Sequence, residues 1–131
     1  MTAPYTRKNL NDVEDAAAKF GFQESQESRF VRGDDLDAEQ TGMSLHRFKP
    51  GKRQGFAHRH DDVEEIYVVL SGSGRMRLDD DVIELGRLDA VRVSPGVMRA
   101  FEADDEGLEI LAVSPRREDD RGEIVPGWWT D

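Results

Sequence analysis

From Arg29 onward the chain is a succession of short apolar runs with a period of two, cut every ten residues or so by Gly, Pro and Asp. Successive side chains of a strand face opposite ways, so this period is the signature of half-buried strands. The runs are Arg29–Arg32, Gly42–Lys49, Glu64–Leu70, Gly74–Asp79, Val82–Leu85, Asp89–Val93, Met98–Glu102 and Leu108–Val113. Between them stand Pro50-Gly51, Ser71-Gly72-Ser73-Gly74, Asp79-Asp80-Asp81, Pro95-Gly96 and Asp105-Glu106-Gly107, residues that turns demand. Many short strands with no helices alternating between them predict an all-β sandwich or barrel and exclude a parallel α/β fold. One helix is expected ahead of the strands, over Leu10 to Phe20. Val13, Ala16, Ala17 and Phe20 fall at helical spacing there, with Asn11 or Asp12 to cap it and Gly21 to stop it.

A chain of 131 residues is sized for one domain with one core. We divide it into residues 1–40 (the helix and a leading strand), 41–115 (the barrel core) and 116–131 (a tail). That tail holds both tryptophans, Trp128 and Trp129, and is expected to dock on the barrel or on a second subunit, because such rings bury large areas. A formal net charge of −10 opposes nucleic-acid binding, which needs a basic footprint, and opposes anionic membrane surfaces. The acids form short runs, Asp34-Asp35, Asp61-Asp62, Asp79-Asp80-Asp81, Asp104-Asp105 and Asp119-Asp120, read as solvated turns. No apolar signal core precedes Asp15 and no stretch approaches the roughly 20 apolar residues of a membrane span, so a cytoplasmic protein is expected. There is no cysteine, so any metal must take nitrogen and oxygen ligands.

One run offers such ligands: His58-Arg59-His60-Asp61-Asp62-Val63-Glu64-Glu65. His58 and His60 share a face of one strand, and Glu65, Tyr67 and Val69 share a face of the next. If the strands pair, two imidazoles and a carboxylate converge as a triad with open positions, suited to Fe, Mn, Ni or Zn as a divalent ion; no organic cofactor is indicated.

The pattern His58-x-His60-x4-Glu65-x6-Gly72 resembles the first motif of the cupin superfamily, Gly-x5-His-x-His-x(3,4)-Glu-x6-Gly, with Gly51 displaced by one residue from the opening glycine. The second motif, Gly-x5-Pro-x-Gly-x2-His-x3-Asn, is met strictly only at Gly96, with Asp89 and Pro95 keeping its flavour. Fifteen residues separate Gly72 from Leu88, the short spacing of compact single-domain cupins. The resemblance covers roughly Thr41 to Val113. It implies a double-stranded β-helix, a jelly-roll barrel with its site in the mouth, and metal ligation by His58, His60 and Glu65. It also implies pairing of barrels, hence a homodimer with the Trp128-Trp129 tail as a contact.

Where the second motif has its histidine, this chain has Arg99. Guanidinium has no lone pair for a metal. Two readings follow. Either a three-ligand metal site uses Arg99 to hold a small anionic ligand, with Tyr67 as acid or base, in dioxygenase- or isomerase-type chemistry. Or Arg99 pairs with Glu65 in a bidentate, charge-assisted contact and the pocket is a metal-free binding cavity. His46 is a substitute ligand or a residue of the sheet surface. Arg75 and Arg77 form a solvated sheet face or add to an anion pocket, while Phe56, Met98 and Phe101 serve as core or pocket wall.

Overall fold

The computed structural model describes residues 3–131. Among the described residues lie eight strands: β1 (Gln26–Phe30), β2 (Thr41–Phe48), β3 (Phe56–Arg59), β4 (Glu65–Leu78), β5 (Asp81–Leu85), β6 (Ala90–Val93), β7 (Arg99–Pro115) and β8 (Glu123–Pro126). All ladders are antiparallel, and they curl into the expected all-β jelly-roll barrel. β7 is the spine. It pairs with β2 (Leu45↔Leu111), with β4 (Tyr67↔Ala112, Met76↔Phe101) and with β3 at His58↔Arg99. Phe48, Tyr67, Val69, Met76, Phe101 and Ile110 form the centre of the core.

Two of the expected turns are not turns. Ser71-Gly72-Ser73-Gly74 lies inside β4, and Asp105-Glu106-Gly107 lies inside β7. The ladder between these long strands shifts register at Val69/Ser71 and at Gly72/Gly74. A Cβ on Gly72 would sit 2.0 Å from the Gly107 carbonyl oxygen, and one on Gly74 would sit 2.1 Å from that of Glu102. Glycine here permits bulges and a close crossing of two continuous strands, so the barrel bends without breaking its ladder.

The helix expected over Leu10–Phe20 does not form. Two single 3₁₀ turns, Leu10–Asp12 and Ala18–Phe20, flank a segment drawn onto β1. Asp15 Oδ1 accepts the amides of Ala17 and Ser28, Ala16 N–H donates to Ser28 O, and the Arg29 guanidinium donates to the carbonyls of Asn11 and Val13. Val13, Ala16 and Ala17 are buried by this docking. The α-helix among the described residues is instead α1 (Gly33–Leu36), one turn long. Among the described residues no helix is long and apolar enough to cross a membrane.

The C-terminal segment lies on the barrel. β8 pairs with β3 (Ala57↔Val125, Arg59↔Glu123), and Trp129 packs against Ala57 and Ala100. Arg53 and Arg75 stand 4.7 and 5.3 Å from the Trp129 ring centroid, and Arg77 stands 4.1 Å from that of Trp128. Arg75 also donates to Glu102. Arg75 and Arg77 therefore belong to an outer face roofed by the tryptophans. Met98 packs against the same cluster.

Candidate metal centre

β4 enters the barrel at Glu65, and its period-two alternation is visible in its burial. Glu65, Tyr67 and Val69 are buried; Ile66 is exposed, and Val68 and Leu70 are half-buried. β3 does not pair with β4; it pairs with β7 at His58↔Arg99 and with β8, and it ends at Arg59, so His58 is its penultimate residue and His60 follows it. The two imidazoles meet edge to face, centroids 5.2 Å apart. His58 Nε2 lies 3.4 Å and His60 Nε2 3.5 Å from Glu65 Oε1. One ligand atom from each of His58, His60 and Glu65 falls within 4.8 Å of the others, so the three could hold one metal ion. Two buried ring nitrogens, His58 Nδ1 and His60 Nε2, have no hydrogen-bond partner. A buried polar atom left unsatisfied is costly. The residues therefore fit a divalent ion in donor type and spacing, with His58 Nε2 and the unpartnered His60 Nε2 both facing Glu65 Oε1.

Arg99 is 0 % exposed and is not a cavity-lining residue. Its contact with Glu65 is not bidentate. Nη2 donates to Glu65 Oε1 at 3.0 Å, Nε to Tyr67 Oη at 3.0 Å, and Nη1 to the Val97 carbonyl at 2.7 Å. Tyr67 in turn donates its hydroxyl to Glu65 Oε1. Burial, and next to it the Glu65 carboxylate, push the Tyr67 phenol up, so it keeps its proton. For Glu65, burial would raise the pKa, but His58, His60 and Tyr67 outweigh it and hold the carboxyl well below the usual range. Burial lowers His58, whereas the Glu65 carboxylate, followed by Asp120, raises His60.

His46 is not on the sheet surface. It points into the barrel from β2, where Nδ1 lies 2.9 Å from Ser28 Oγ and Nε2 lies 2.8 Å from Ser44 Oγ. Both ring nitrogens are thus occupied, and His46 is not in the group that could hold the ion. It lines a cavity of about 620 Å³ that opens onto His58, His60, Glu65 and Tyr67. Phe22, Phe30 and Phe56 give that cavity apolar walls, while Arg32, Arg59 and Arg121 add positive charge. Phe56 is thus pocket wall, and Phe101 is core against Tyr67 and Phe48.

Sequence reasoning missed Asp120. Its run was read as a solvated turn, yet the side chain is only 5 % exposed. Oδ2 lies 2.6 Å from His60 Nδ1, and Oδ1 accepts the amides of Asp61 and Asp62. No local pattern marks it, because its partners lie about 60 residues away.

Residues 44–114 match the cupin domain family. Among solved structures, a cupin protein from Bacteroides fragilis superposes with a TM-score of 0.68 at 21% identity, covering 99% of both chains. Oxalate decarboxylase from Bacillus subtilis gives 0.75 at 18% identity over 97% of this chain but 33% of its own, so the chain spans about a third of that enzyme. A sugar phosphate isomerase of the cupin superfamily from Silicibacter pomeroyi gives 0.68 at 20% identity over 87% of this chain and 78% of its own. At these identities the likeness is one of fold. No match was found among curated proteins.

Proposed function

From the premise that this chain belongs to the cupin domain family, we propose that it holds a divalent metal ion at His58, His60 and Glu65 and binds a small anionic molecule beside it, for metal-dependent chemistry of the dioxygenase or isomerase type. The observation that carries the reading is the convergence of the three donors within 4.8 Å, with the buried His60 Nε2 facing Glu65 and left unpartnered. A bound ion of this kind supplies Lewis-acid polarisation or oxygen activation. The chain's own groups do the rest. Arg99 and Tyr67 fix the Glu65 carboxylate by donating to the same oxygen. Tyr67, kept protonated by burial, donates to that carboxylate and stands 3.4 Å from His58 Nε2. Phe22, Phe30 and Phe56 give the cavity onto which the donors open an apolar wall.

The anionic ligand follows from charge. A divalent ion beside Glu65 and the Arg99 guanidinium leaves the pocket positive, which is costly at low dielectric unless an anion enters. Two structural neighbours have anionic substrates in their names, oxalate and a sugar phosphate. Of the metals, manganese has a precedent in the Mn(II) centres of the oxalate decarboxylase. Protein purified without an affinity tag and loaded with Mn, Fe, Ni or Zn is expected to bind metal stoichiometrically by elemental analysis, and Glu65→Gln to lose most of it. Substoichiometric metal after every loading sinks the proposal. The second reading, a metal-free binding module, is favoured by the 3.0 Å Arg99–Glu65 contact, and that result would select it.

A homodimer completes the proposal. Ile66 on β4 is an exposed apolar side chain on the outer face of the sheet that a second copy would cover. Light scattering after size exclusion is expected to give twice the chain mass; a monomer at micromolar concentration removes this part.

A further inference from the structure

We propose that Asp120 is a positioning residue for the metal centre: it holds the His60 ring in the tautomer whose Nε2 carries a free lone pair toward the metal position. The inference rests on the metal reading above.

The geometry leaves little choice of proton. Asp120 Oδ1 accepts the backbone amides of Asp61 at 2.9 Å and Asp62 at 2.7 Å, so the carboxylate cannot rotate without abandoning two donors. That fixes Oδ2 against His60 Nδ1, 2.6 Å away. An ionised carboxylate only accepts, so the hydrogen in this contact belongs to Nδ1. A neutral imidazole has one N–H, and Nε2 is therefore the lone-pair nitrogen. It is the atom found buried, without a hydrogen-bond partner, 3.5 Å from Glu65 Oε1. Metal-binding histidines characteristically donate their second nitrogen to a carboxylate, which sets the ring's orientation and raises its basicity.

The local fold is built to deliver this contact. β8 pairs with β3 through Arg59↔Glu123, which brings the chain just ahead of β8 over the end of the ligand strand. Gly122 has φ +64°, and a Cβ there would sit 1.9 Å from the Arg59 carbonyl oxygen. Only glycine allows so close a pass, and the pass sets Asp120 above His60. His58 has no such brace, since its Nδ1 is unpartnered. Asp120 thus acts on one ring of the pair, from a segment about 60 residues away in sequence.

Asp120→Asn in the full chain separates positioning from mere anchoring. The amide oxygen still accepts from Asp61 and Asp62, while the NH₂ now faces His60 Nδ1 and demands an acceptor there. Flipping the amide would set NH₂ against two N–H groups. Nitrogen-15 NMR of the metal-free protein at alkaline pH, where the ring is neutral, is expected to find Nδ1–H in the wild type and Nε2–H in Asp120→Asn. Mn(II) titrated calorimetrically is expected to bind about 10–100-fold more weakly to the variant. Asp120→Ala, which imposes neither tautomer, is expected to show a mixture and a smaller loss, and serves if the Asn variant does not fold. Wild-type His60 found as Nε2–H, or a folded Asn variant with Nδ1–H and unchanged affinity, overturns the assignment. The expected tautomers with no metal bound by either protein uphold the role of Asp120 in setting the ring and defeat the metal reading instead.

Discussion

Replacing Arg99 with methionine is expected to cost the fold about 3–5 kcal/mol, the range for removing one partner of a buried ion pair. Arg99 is 0 % exposed and Glu65 8 % exposed, so water cannot take over the lost contacts. The penalty has several sources. The Glu65 carboxylate loses its counter-charge, the Tyr67 hydroxyl loses a donor, and the Val97 carbonyl is left without its guanidinium partner. Urea denaturation should show the midpoint fall with little change in slope. The double variant Arg99→Met/Glu65→Gln is expected to regain part of the loss, because most of the penalty is the stranded charge rather than the missing attraction. Saturating divalent metal is expected to stabilise the single variant, since a ligand that binds the folded state alone shifts the equilibrium toward it. A loss below about 1 kcal/mol, the range of an exposed pair, would mean that Glu65 is solvated and the site is open to bulk water.

This pair also marks where reading the sequence succeeds and where it stops. The shared face of Glu65, Tyr67 and Val69 follows from a period of two, a local property of the chain. The convergence of both histidines on Glu65 does not come from pairing of the two ligand strands, as the period of two alone would have had it: β3 pairs with β7 and β8, β4 pairs with β5, β6 and β7, and the ligands meet because both strands border β7. Other features were decided by distant contacts. A glycine that opens a turn and a glycine that lets two strands cross look alike locally. Gly72 and Gly74 are of the second kind because the carbonyls of Gly107 and Glu102 press against them. Val13, Ala16 and Ala17 have helical spacing but are buried by docking on β1, where Asp15 ties two amides that a helix would have used differently. Arg99 was legible as a departure from the motif. That its guanidinium donates to Glu65, Tyr67 and the Val97 carbonyl, from outside the cavity lining, depended on where three acceptors lie. Asp120 was invisible for the same reason: its meaning comes from the β3–β8 pairing and not from its neighbours in sequence.

His46 predicts an acid-labile core. Burial lowers its pKa from 6.5 to about 4, with the nearby His58 adding to the shift and Glu65 opposing it. The ring sits between Ser28 and Ser44, with Phe48 stacked on it and Phe30 meeting it near a right angle, and none of these carries a negative charge to balance an added proton. As pH falls through 6.5, the unfolded chain takes up a proton on this residue while the folded chain does not. Stability from the neutral buried ring is therefore fully present above pH 6.5 and is lost progressively toward pH 4. The full swing is about 3 kcal/mol, from roughly 1.4 kcal/mol for each pH unit between the two values. His46→Gln can still bond both serines and has no proton to gain. Denaturation midpoints measured with a chelator present, so that proton release by the metal ligands does not intrude, should fall more steeply for the wild type than for the variant between pH 7 and pH 4.5. The difference is expected to be about 2–3 kcal/mol in favour of the variant at the acid end. His58 and His60 titrate in both proteins, so their contribution is common to the two profiles apart from the repulsion between His58 and His46. Parallel pH profiles would show that His46 is hydrated or protonated in the folded state, and the cavity wall it forms would then be wet.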